Sequence, residues 1–389
     1  MEFELSKDHL NWIDEVRSFL KDNFGAQAQA QALEAGREWN DKPAVREFRS
    51  ALARKGWLGL TLPRAYGGME RSTFDQFLLM DEFAYWGAPS IDLSSSAVAP
   101  TILRHGNPEQ HKKWLPPIIE GKVEFAIGYS EPDAGTDLAS LRTRAERRGK
   151  QWVINGEKIW NTGAEYCTHE WLACRTDLQA PKHRGISVFI VALNEPGISI
   201  EPLWTWGGLR TNKVRFQDVC IGEENLVGEV NEGWRYVSTA LDFERVTVGL
   251  TGAVRRLKDE LVAYINSEKG AHTVQERPEL RHTIGQLVVD TEVARLLNYR
   301  AAWMVDAGTV PYAEASMTKV YTTELNARAA DIAMQVLGPL GRMDPTDPGV
   351  PLSGFAQSLY RAAPYLRFGG GNNEIQRDII AQRGFALPR

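Results

Sequence analysis

The apolar residues of this 389-residue chain repeat with a helical period at both ends and with a strand-like period in the middle. Up to about residue 123 they recur every three or four positions. From about Glu124, short apolar runs of strand length are separated by Gly, Pro and Asn, and the helical spacing returns at about Gly233. This order predicts an α+β multidomain fold with a helical domain (1–123), a β domain (124–232) and a second helical domain (233–389).

Composition excludes several classes of function. The net charge of −5, without a run of Lys or Arg, gives no reason to expect a nucleic-acid partner or a membrane-surface patch. The longest apolar runs are far shorter than the ~20 residues of a membrane span, and the acidic N-terminal stretch is unlike a signal peptide. Seven scattered His make a metal site improbable. We expect Cys167, Cys174 and Cys220 to be ordinary thiols of a cytoplasmic protein.

The first half of the β segment contains a compact turn after a strand. The stretch FAIGYSEPDAGTDLASL, from Phe125, carries hydroxyls at Ser130 and Thr136. Such a turn is able to present N–H groups and hydroxyls to a phosphate or a heteroaromatic edge. Taken alone, however, a simple turn followed by a helix N-cap explains it better.

The next stretch, WVINGEKIWNTGA, contains two further signals. Asn155-Gly156 predicts a two-residue β-hairpin turn. Trp160 precedes Thr162 by two residues, which in a strand places a flat apolar ring beside a hydroxyl on one face. This pair suits a planar ligand, and the tryptophan suits a protein core equally well.

Together these segments resemble the acyl-CoA dehydrogenase family, and the resemblance covers the whole chain. It includes GYSEPDAGTDLASLRTRAE, VINGEKIWNTGA, HRGISVFIV and RTNKVRFQDVCIGEENLVGEVNEGW, and later LDFERV, QVLGPLG and GGGNNEIQRDIIAQR. The resemblance implies a flavin-facing middle β-sheet or β-barrel-like domain and a C-terminal four-helix bundle. It also implies FAD-dependent α,β-dehydrogenation of an acyl-CoA thioester to the trans-2-enoyl-CoA.

The resemblance assigns cofactor contacts along the chain. Trp160 is expected against the isoalloxazine ring, Thr162 near its redox-active nitrogen and Thr136 at the pyrophosphate. The other implied contacts are Ile127, Tyr129 and Ser130 at the pyrimidine end, Asn372 and Glu374 from the C-terminal segment, and Gln335, Gly338 and Gly341 at the adenosine part of a neighbouring subunit's FAD.

The reaction needs one carboxylate in a largely dry site, where burial raises its pKa toward neutrality. Many family members place this Glu in the C-terminal loop, but the matching position here is Gly370. Glu374 lies nearby at a cofactor-contact position and is a poor substitute. Through its backbone N–H, Gly370 is still expected to bind the thioester carbonyl. The missing side chain widens the acyl pocket, which favours a bulky or branched substrate.

The family's other arrangement places the base on a helix directly before an arginine. This chain has Glu244-Arg245, and Glu244 shares a helix face with Leu241 and Val248. An isolated Glu on a helix is usually solvated, but the apolar neighbours and Gly370 favour Glu244 as the base. Arg245 is expected to shape the site, since a guanidinium does not act as an acid.

One family feature is missing. Homotetrameric members carry an Arg-x-x-Phe-Gly motif that grips the FAD of the adjacent subunit, and INSEKGAHTVQERPELRHTIGQ lacks it. In this respect the chain resembles the bacterial heterotetrameric acyl-CoA dehydrogenases of steroid side-chain breakdown. We therefore expect a dimer or tetramer, in which a second dehydrogenase-like chain is an open possibility. The family's usual electron acceptor is an electron-transferring flavoprotein.

Two alternatives stay open at the level of sequence. Flavin oxidases and monooxygenases share the fold, so the fold does not exclude them. A structural subunit that has lost catalysis would explain Gly370 and the missing motif. Glu244, Trp160 and Thr162 together favour an active dehydrogenase, because a structural subunit needs none of the three.

Overall fold

The N-terminal part of the chain is helical. The computed structural model describes residues 4–25, 42–89, 92–248 and 250–388, with the backbone alone for 244–248 and 274. Ser6 and Ser72 cap the first and third helices with their side chains, and Asn107 forms a capping box with Gln110 at the fifth. The helices are α1 (Lys7–Asn23), α2 (Pro43–Arg54), α3 (Thr73–Trp86), α4 (Ala99–His105) and α5 (Pro108–Ile119).

The middle of the chain forms one mixed sheet. Its strands are β1 (Phe125–Gly128), β2 (Arg144–Arg148), β3 (Gln151–Ile159), β4 (His169–Arg175), β5 (Ile186–Ala192), β6 (Ile198–Trp204), β7 (Arg210–Gly222) and β8 (Leu226–Val227). The strand order is β6-β7-β3-β2-β4-β5-β8, and β1 pairs in parallel with β4.

The two faces of this sheet pack against different partners. One core is shared by β1, β2, β3, β4, β5 and β7 and contains Trp152, Leu172 and Phe189. A second core joins Trp171 and Val188 to the helices α4 and α5 and to the helix that follows the sheet. Strands β4 and β5 are therefore buried on both faces, which explains their nearly continuous apolar sequences.

The hairpin predicted at Asn155-Gly156 is wrong. Both residues lie inside β3, and the chain reverses at Gly149–Lys150 between β2 and β3. The register between β3 and β7 shifts between Ile154 and Gly156. A Cβ at Gly156 would overlap Thr143, so the glycine permits a β-bulge and a close approach instead of a turn.

The C-terminal part is helical again. Residues of four helices, α7, α9, α10 and α11, share a single apolar core, as a four-helix bundle requires. The helices are α6 (Gly233–Val248), α7 (Gly252–Ile265), α8 (Glu268–Glu276), α9 (Glu279–Asp306), α10 (Tyr312–Leu337), α11 (Phe355–Leu366) and α12 (Asn373–Ile379).

Buried polar contacts join the N-terminal part to the other two parts. The Asp81 carboxylate accepts hydrogen bonds from the backbone N–H groups of Thr251 and Gly252, at 2.7 and 2.8 Å. The Gln110 amide donates to the carbonyls of Glu224 and Leu226. These contacts fix the two ends of the segment that contains α6.

The predicted fold class is confirmed: helices, a middle sheet domain and a C-terminal helical domain follow one another along the chain. Among the described helices, none is long and apolar enough to cross a membrane. Cys167, Cys174 and Cys220 are free thiols.

Candidate functional site

The segment after β3 forms a tight turn and not a continued strand. Trp160 has a left-handed backbone with φ 65°, and the N–H of Thr162 donates to the Trp160 carbonyl at 2.9 Å. The prediction that both side chains share one strand face is therefore wrong, because β3 ends at Ile159. Thr162 is exposed, and its hydroxyl donates to that of Thr211 at 3.2 Å.

Trp160 presents an open aromatic surface. It is 57% exposed, whereas Trp12, Trp57 and Trp171 are at most 2% exposed. A left-handed backbone is uncommon for a large side chain and costs free energy. A tryptophan held in this conformation at the surface, beside an exposed hydroxyl, is suited to stacking against a planar ring.

Three predicted cofactor residues lie beside this turn. The carbonyl of Ile127 accepts from the Asn161 amide at 3.1 Å, and the carbonyl of Ser130 accepts from the Ile159 N–H at 2.9 Å. The Tyr129 carbonyl accepts from the Lys158 ammonium at 3.0 Å. The structure thus brings residues 127–130 against the end of β3, as a shared binding surface requires.

A buried ion pair, which the sequence did not reveal, fixes the loop after β1. The Lys158 ammonium is 2.8 Å from Glu131, and both side chains are buried. Glu131 also accepts from the Thr143 N–H at 2.8 Å. Although burial opposes ionisation, Lys158 and the backbone donors hold the pKa of Glu131 below its ordinary value. The pair anchors Ser130 and the turn that follows it.

The loop before α12 brings the C-terminal part to the middle sheet. The Asn372 amide donates to the Thr136 hydroxyl at 2.8 Å, so two predicted cofactor residues from distant parts of the chain are in contact. Asn372 also caps α12 by accepting from the Ile375 N–H at 2.9 Å. Glu374 is exposed, with Arg367 3.8 Å away.

Gly370 lies in the same loop. Its φ of 67° is in the left-handed region, and its carbonyl accepts from the Gln376 amide at 3.1 Å. This geometry favours glycine and leaves no side chain at the position where many family members carry a carboxylate.

The predicted base lies on α6. Glu244 and Arg245 fall within Gly233–Val248, but their side chains lie outside the described residues. Asp242 and Phe243, directly before them, line a cavity of about 990 Å³ between α3, α4, α6 and the α9–α10 connection. The polar lining of this cavity includes Arg104, His105, Arg235, Ser238 and Thr239.

The residues expected at a neighbouring subunit's cofactor lie together at the end of α10. Gln335 is exposed in the last turn, Gly338 follows the helix, and Gly341 is buried in the next short helix. Arg277, between α8 and α9, donates to the Gln335 carbonyl at 3.2 Å. Their contact with a neighbour's FAD stays a prediction.

Sequence reasoning missed a buried polar group behind the Trp160 turn. Asn161, Glu170 and Asn212 are each 0% exposed. The side chain of Asn161 contacts Glu170, and Asn212 donates to the Asn161 carbonyl at 2.9 Å. Glu170 is the second residue of β4, and the only available signal was a charged residue inside an otherwise apolar strand.

Taken together, the arrangement fits a flavin. A planar ring is able to stack on Trp160 beside Thr162, and the hydroxyl of Thr136 with the amide of Asn372 provides neutral donors for a pyrophosphate. The site therefore offers hydrogen bonds and an apolar surface.

Comparison with known proteins identifies the family. Models of the acyl-CoA dehydrogenase N-terminal, middle and C-terminal domains match residues 6–122, 126–219 and 231–385. Acyl-CoA dehydrogenase FadE26 of Mycobacterium tuberculosis is 38% identical over 97% of each chain. Acyl-CoA dehydrogenase FadE29 of the same organism is 36% identical over 89% of each.

Solved structures agree. The Tcur3481-Tcur3483 steroid acyl-CoA dehydrogenase has a TM-score of 0.94 at 36% identity, with all of both chains covered. The ChsE4-ChsE5 complex from Mycobacterium tuberculosis has a TM-score of 0.91, also at 36% identity and full coverage. The chain therefore belongs to the acyl-CoA dehydrogenase family, whose members are FAD-dependent oxidoreductases.

Proposed function

We propose that this chain oxidises the Cα–Cβ bond of an acyl-CoA with a bulky or branched acyl group. The observation that carries the proposal is the cavity of about 990 Å³ against α6, the helix that contains Glu244. This volume is at the upper end of ordinary small-molecule pockets, which hold about 300–1,000 Å³. Gly370, which does not line this cavity, is a separate argument for a wide acyl site because it carries no side chain where many family members have a Glu.

Bound FAD supplies the acceptor for the β-hydride. Trp160 and Thr162 orient the flavin ring, together with Ile127, Tyr129 and Ser130 at its edge. The Thr136–Asn372 pair, joined at 2.8 Å, holds the pyrophosphate from both sides of the site. Glu374 lies beside this pair in the first turn of α12 and contributes a weaker contact.

Glu244 removes the α-proton. An apolar environment raises the pKa of a carboxyl, which brings it closer to that of the α-carbon acid it must deprotonate. The backbone N–H of Gly370 binds the thioester carbonyl, where negative charge develops. Arg245 shapes the site next to the base.

The assembly is an oligomer in which a second dehydrogenase-like chain completes the cofactor site. Two observations support this. Residues 265–286 lack the Arg-x-x-Phe-Gly motif, and α9 exposes Val288, Val289 and Val293 on one face. The similar structure from Mycobacterium tuberculosis is itself a complex of ChsE4 with ChsE5. An electron-transferring flavoprotein reoxidises the flavin. The proposed domains of the chain are residues 1–123, 124–232 and 233–389.

The test is flavin bleaching by acyl-CoA thioesters in the absence of oxygen. A panel of straight-chain, branched and ring-bearing thioesters is mixed with the wild-type protein, alone and with a candidate partner chain. We expect bulky acyl groups to bleach the flavin. Glu244→Gln should retain FAD and slow bleaching by roughly 100-fold or more, since a general base contributes that much.

Glu374→Gln is the matched control, because it neutralises another carboxylate of the C-terminal half and should leave reduction largely intact. Bleaching of Glu244→Gln at the wild-type rate would remove Glu244 from the base position. Bleaching by short straight-chain thioesters alone would contradict the bulky substrate.

A further inference from the structure

Glu170 and Asn161 form a buried pair behind the Trp160 turn. Both side chains are 0% exposed. The Asn161 amide nitrogen donates to the Ile127 carbonyl at 3.1 Å and to Glu170 Oε1, which uses both of its hydrogens. A Cβ at Gly128 would overlap Glu170 Oε1, so the glycine makes room for the carboxyl group.

The same pair contains two buried oxygens without a donor. Among the side chains that the structure describes, Asn161 Oδ1 and Glu170 Oε2 make no hydrogen bond. An ionised carboxylate has acceptors alone, so it could not serve Asn161 Oδ1. Leaving a buried acceptor unsatisfied costs free energy, and more when it carries charge.

We infer that Glu170 is protonated in the folded protein and closes a two-hydrogen-bond ring with Asn161, and that this acid–amide pair positions the Trp160–Thr162 turn. In the ring, the Asn161 amide donates to Glu170 Oε1, and the proton on Glu170 Oε2 is donated to Asn161 Oδ1. One proton therefore satisfies both oxygens.

The electrostatic surroundings agree with a neutral carboxyl. Burial raises the pKa of Glu170 to about 8, against the weaker opposing effects of the Asn161 hydrogen bond and of Lys158. The Lys158 ammonium is already paired with Glu131 at 2.8 Å. The other titratable groups near Glu170 are Cys167 and Cys174, and burial raises the pKa of both thiols, so both are neutral.

Asn161 links the buried pair to the turn, because its side chain belongs to the pair and its backbone is part of the turn. Its backbone N–H donates to the Asn212 carbonyl at 3.0 Å, and its carbonyl accepts from the Asn212 amide at 2.9 Å. Every polar group of the residue between Trp160 and Thr162 is thus held once the ring closes. The connection to FAD rests on the proposed function, whereas the protonation of Glu170 does not.

Infrared spectroscopy tests the protonation on the purified full chain, with or without FAD. At pH 7 the wild type minus Glu170→Gln difference spectrum should contain the C=O stretching band of a protonated carboxyl. Glu124→Gln is the comparison variant, because burial also raises the pKa of Glu124, to about 7. The C=O band of protonated Glu124 should remain in the absolute spectrum of Glu170→Gln. A difference spectrum with carboxylate bands alone would overturn the inference.

The pH dependence of stability gives a second measurement. The folded protein retains the Glu170 proton up to about pH 8, whereas the unfolded chain releases it near the ordinary pKa of 4.5. The contribution of Glu170 to the free energy of unfolding is therefore complete below pH 4.5 and shrinks as pH rises to 8. Glu170→Gln keeps a ring of two amide hydrogen bonds but does not titrate. Its free energy of unfolding should therefore decline less than that of the wild type between pH 4.5 and 8. Parallel pH profiles of the two proteins would contradict a neutral Glu170.

Cofactor retention separates positioning from simple packing. Glu170→Leu removes both ring bonds at similar volume, and FAD should dissociate roughly tenfold faster, as expected for the loss of a buried hydrogen-bonded pair. Glu170→Gln should retain FAD like the wild type. If Glu170→Leu is folded and keeps FAD equally well, the pair does not position the turn. If neither the wild type nor any variant binds FAD, the proposed function fails and the infrared result still decides the protonation.

Discussion

Trp160 combines two properties that are rarely found in one residue. Its backbone is left-handed at φ 65°, and its ring is 57% exposed. The folded chain obtains little apolar burial from this side chain, so packing does not compensate for the unfavourable conformation. These two properties support the proposal that a flavin covers the Trp160 ring.

Trp160→Ala should therefore weaken FAD retention with little loss of stability. The alanine removes the stacking surface and leaves the Asn161 contacts in place. We expect FAD to dissociate at least tenfold faster, which corresponds to about 1.4 kcal/mol. Dilution of the holoprotein followed by flavin fluorescence measures this rate. Thr211→Val, which removes the hydroxyl acceptor of Thr162, serves as a milder comparison.

At this scale the family resemblance assigned several residues to one cofactor but gave no information on their conformation. Ile127, Tyr129 and Ser130 do lie beside the end of β3, and Thr136 does meet Asn372. The Trp160 turn was not foreseen because period-two spacing continues through it. Glu170 was missed because a polar residue in a strand does not reveal whether it faces solvent or core, and Asn161 was missed because the turn that contains it was not predicted.

Helix α7 begins at a buried carboxylate. Asp81 of α3 accepts from the N–H groups of Thr251 and Gly252 and from the Thr251 hydroxyl, and it pairs with Arg255. Four donors therefore converge on one side chain that is 3% exposed. An anion at a helix N-terminus satisfies N–H groups that have no partner within the helix.

Asp81→Asn should destabilise the protein by about 3 kcal/mol, because it removes the buried charge that faces Arg255 and leaves that arginine with Glu82 as its charge partner, at 3.0 Å. Urea unfolding followed by circular dichroism measures the change. Glu120→Gln is the control, since the Glu120–Lys122 pair at 2.6 Å is exposed at both ends. Its effect should stay below about 1 kcal/mol. Equal effects of the two substitutions would show that Asp81 does not anchor α7.

At the level of elements, periodicity was a good guide wherever a face is buried. Among the short apolar runs that predicted strands in the middle of the chain, two correspond to β4 and β5. The failure at Asn155-Gly156 has a physical cause, since the same dipeptide that suits a turn also suits a bulge. Local sequence does not distinguish a turn from a bulge at Asn155-Gly156. The outcome depends on contacts with Thr143 and β7, which are distant in sequence from this dipeptide.

Polar contacts join the three parts of the chain at both ends of α6 and at the loop before α12. Asn372 donates a hydrogen bond to Thr136 of the middle domain, and Gln110 donates one to the Leu226 carbonyl before α6. Asp81 accepts a hydrogen bond from the Thr251 N–H at the start of α7. Helix α6, which contains Glu244, is therefore held at its two ends by residues of the N-terminal helical part of the chain. Small changes in any one part are expected to alter the position of Glu244, the proposed base.

Expression of the chain alone should give an assembly with incomplete flavin occupancy and weak turnover. In the proposed assembly, co-expression with a second dehydrogenase-like chain should restore both, because the partner would supply contacts to the adenosine half for which residues 265–286 carry no Arg-x-x-Phe-Gly motif. Size-exclusion chromatography with light scattering gives the subunit number, and absorbance gives FAD per chain. A stable homo-oligomer with one FAD per subunit and full turnover would contradict the heteromeric assembly.

The exposure of Trp160 also makes the protein its own optical indicator. Iodide quenches the emission of indoles that it can touch, and it does not reach the buried rings of Trp12, Trp57 and Trp171. A flavin stacked on Trp160 shields that ring from iodide and also absorbs its emission energy. The iodide-sensitive part of the emission, corrected with Trp160→Phe for other exposed tryptophans such as Trp206, therefore decreases as the site fills. Reconstitution can be followed in this way before any substrate is known.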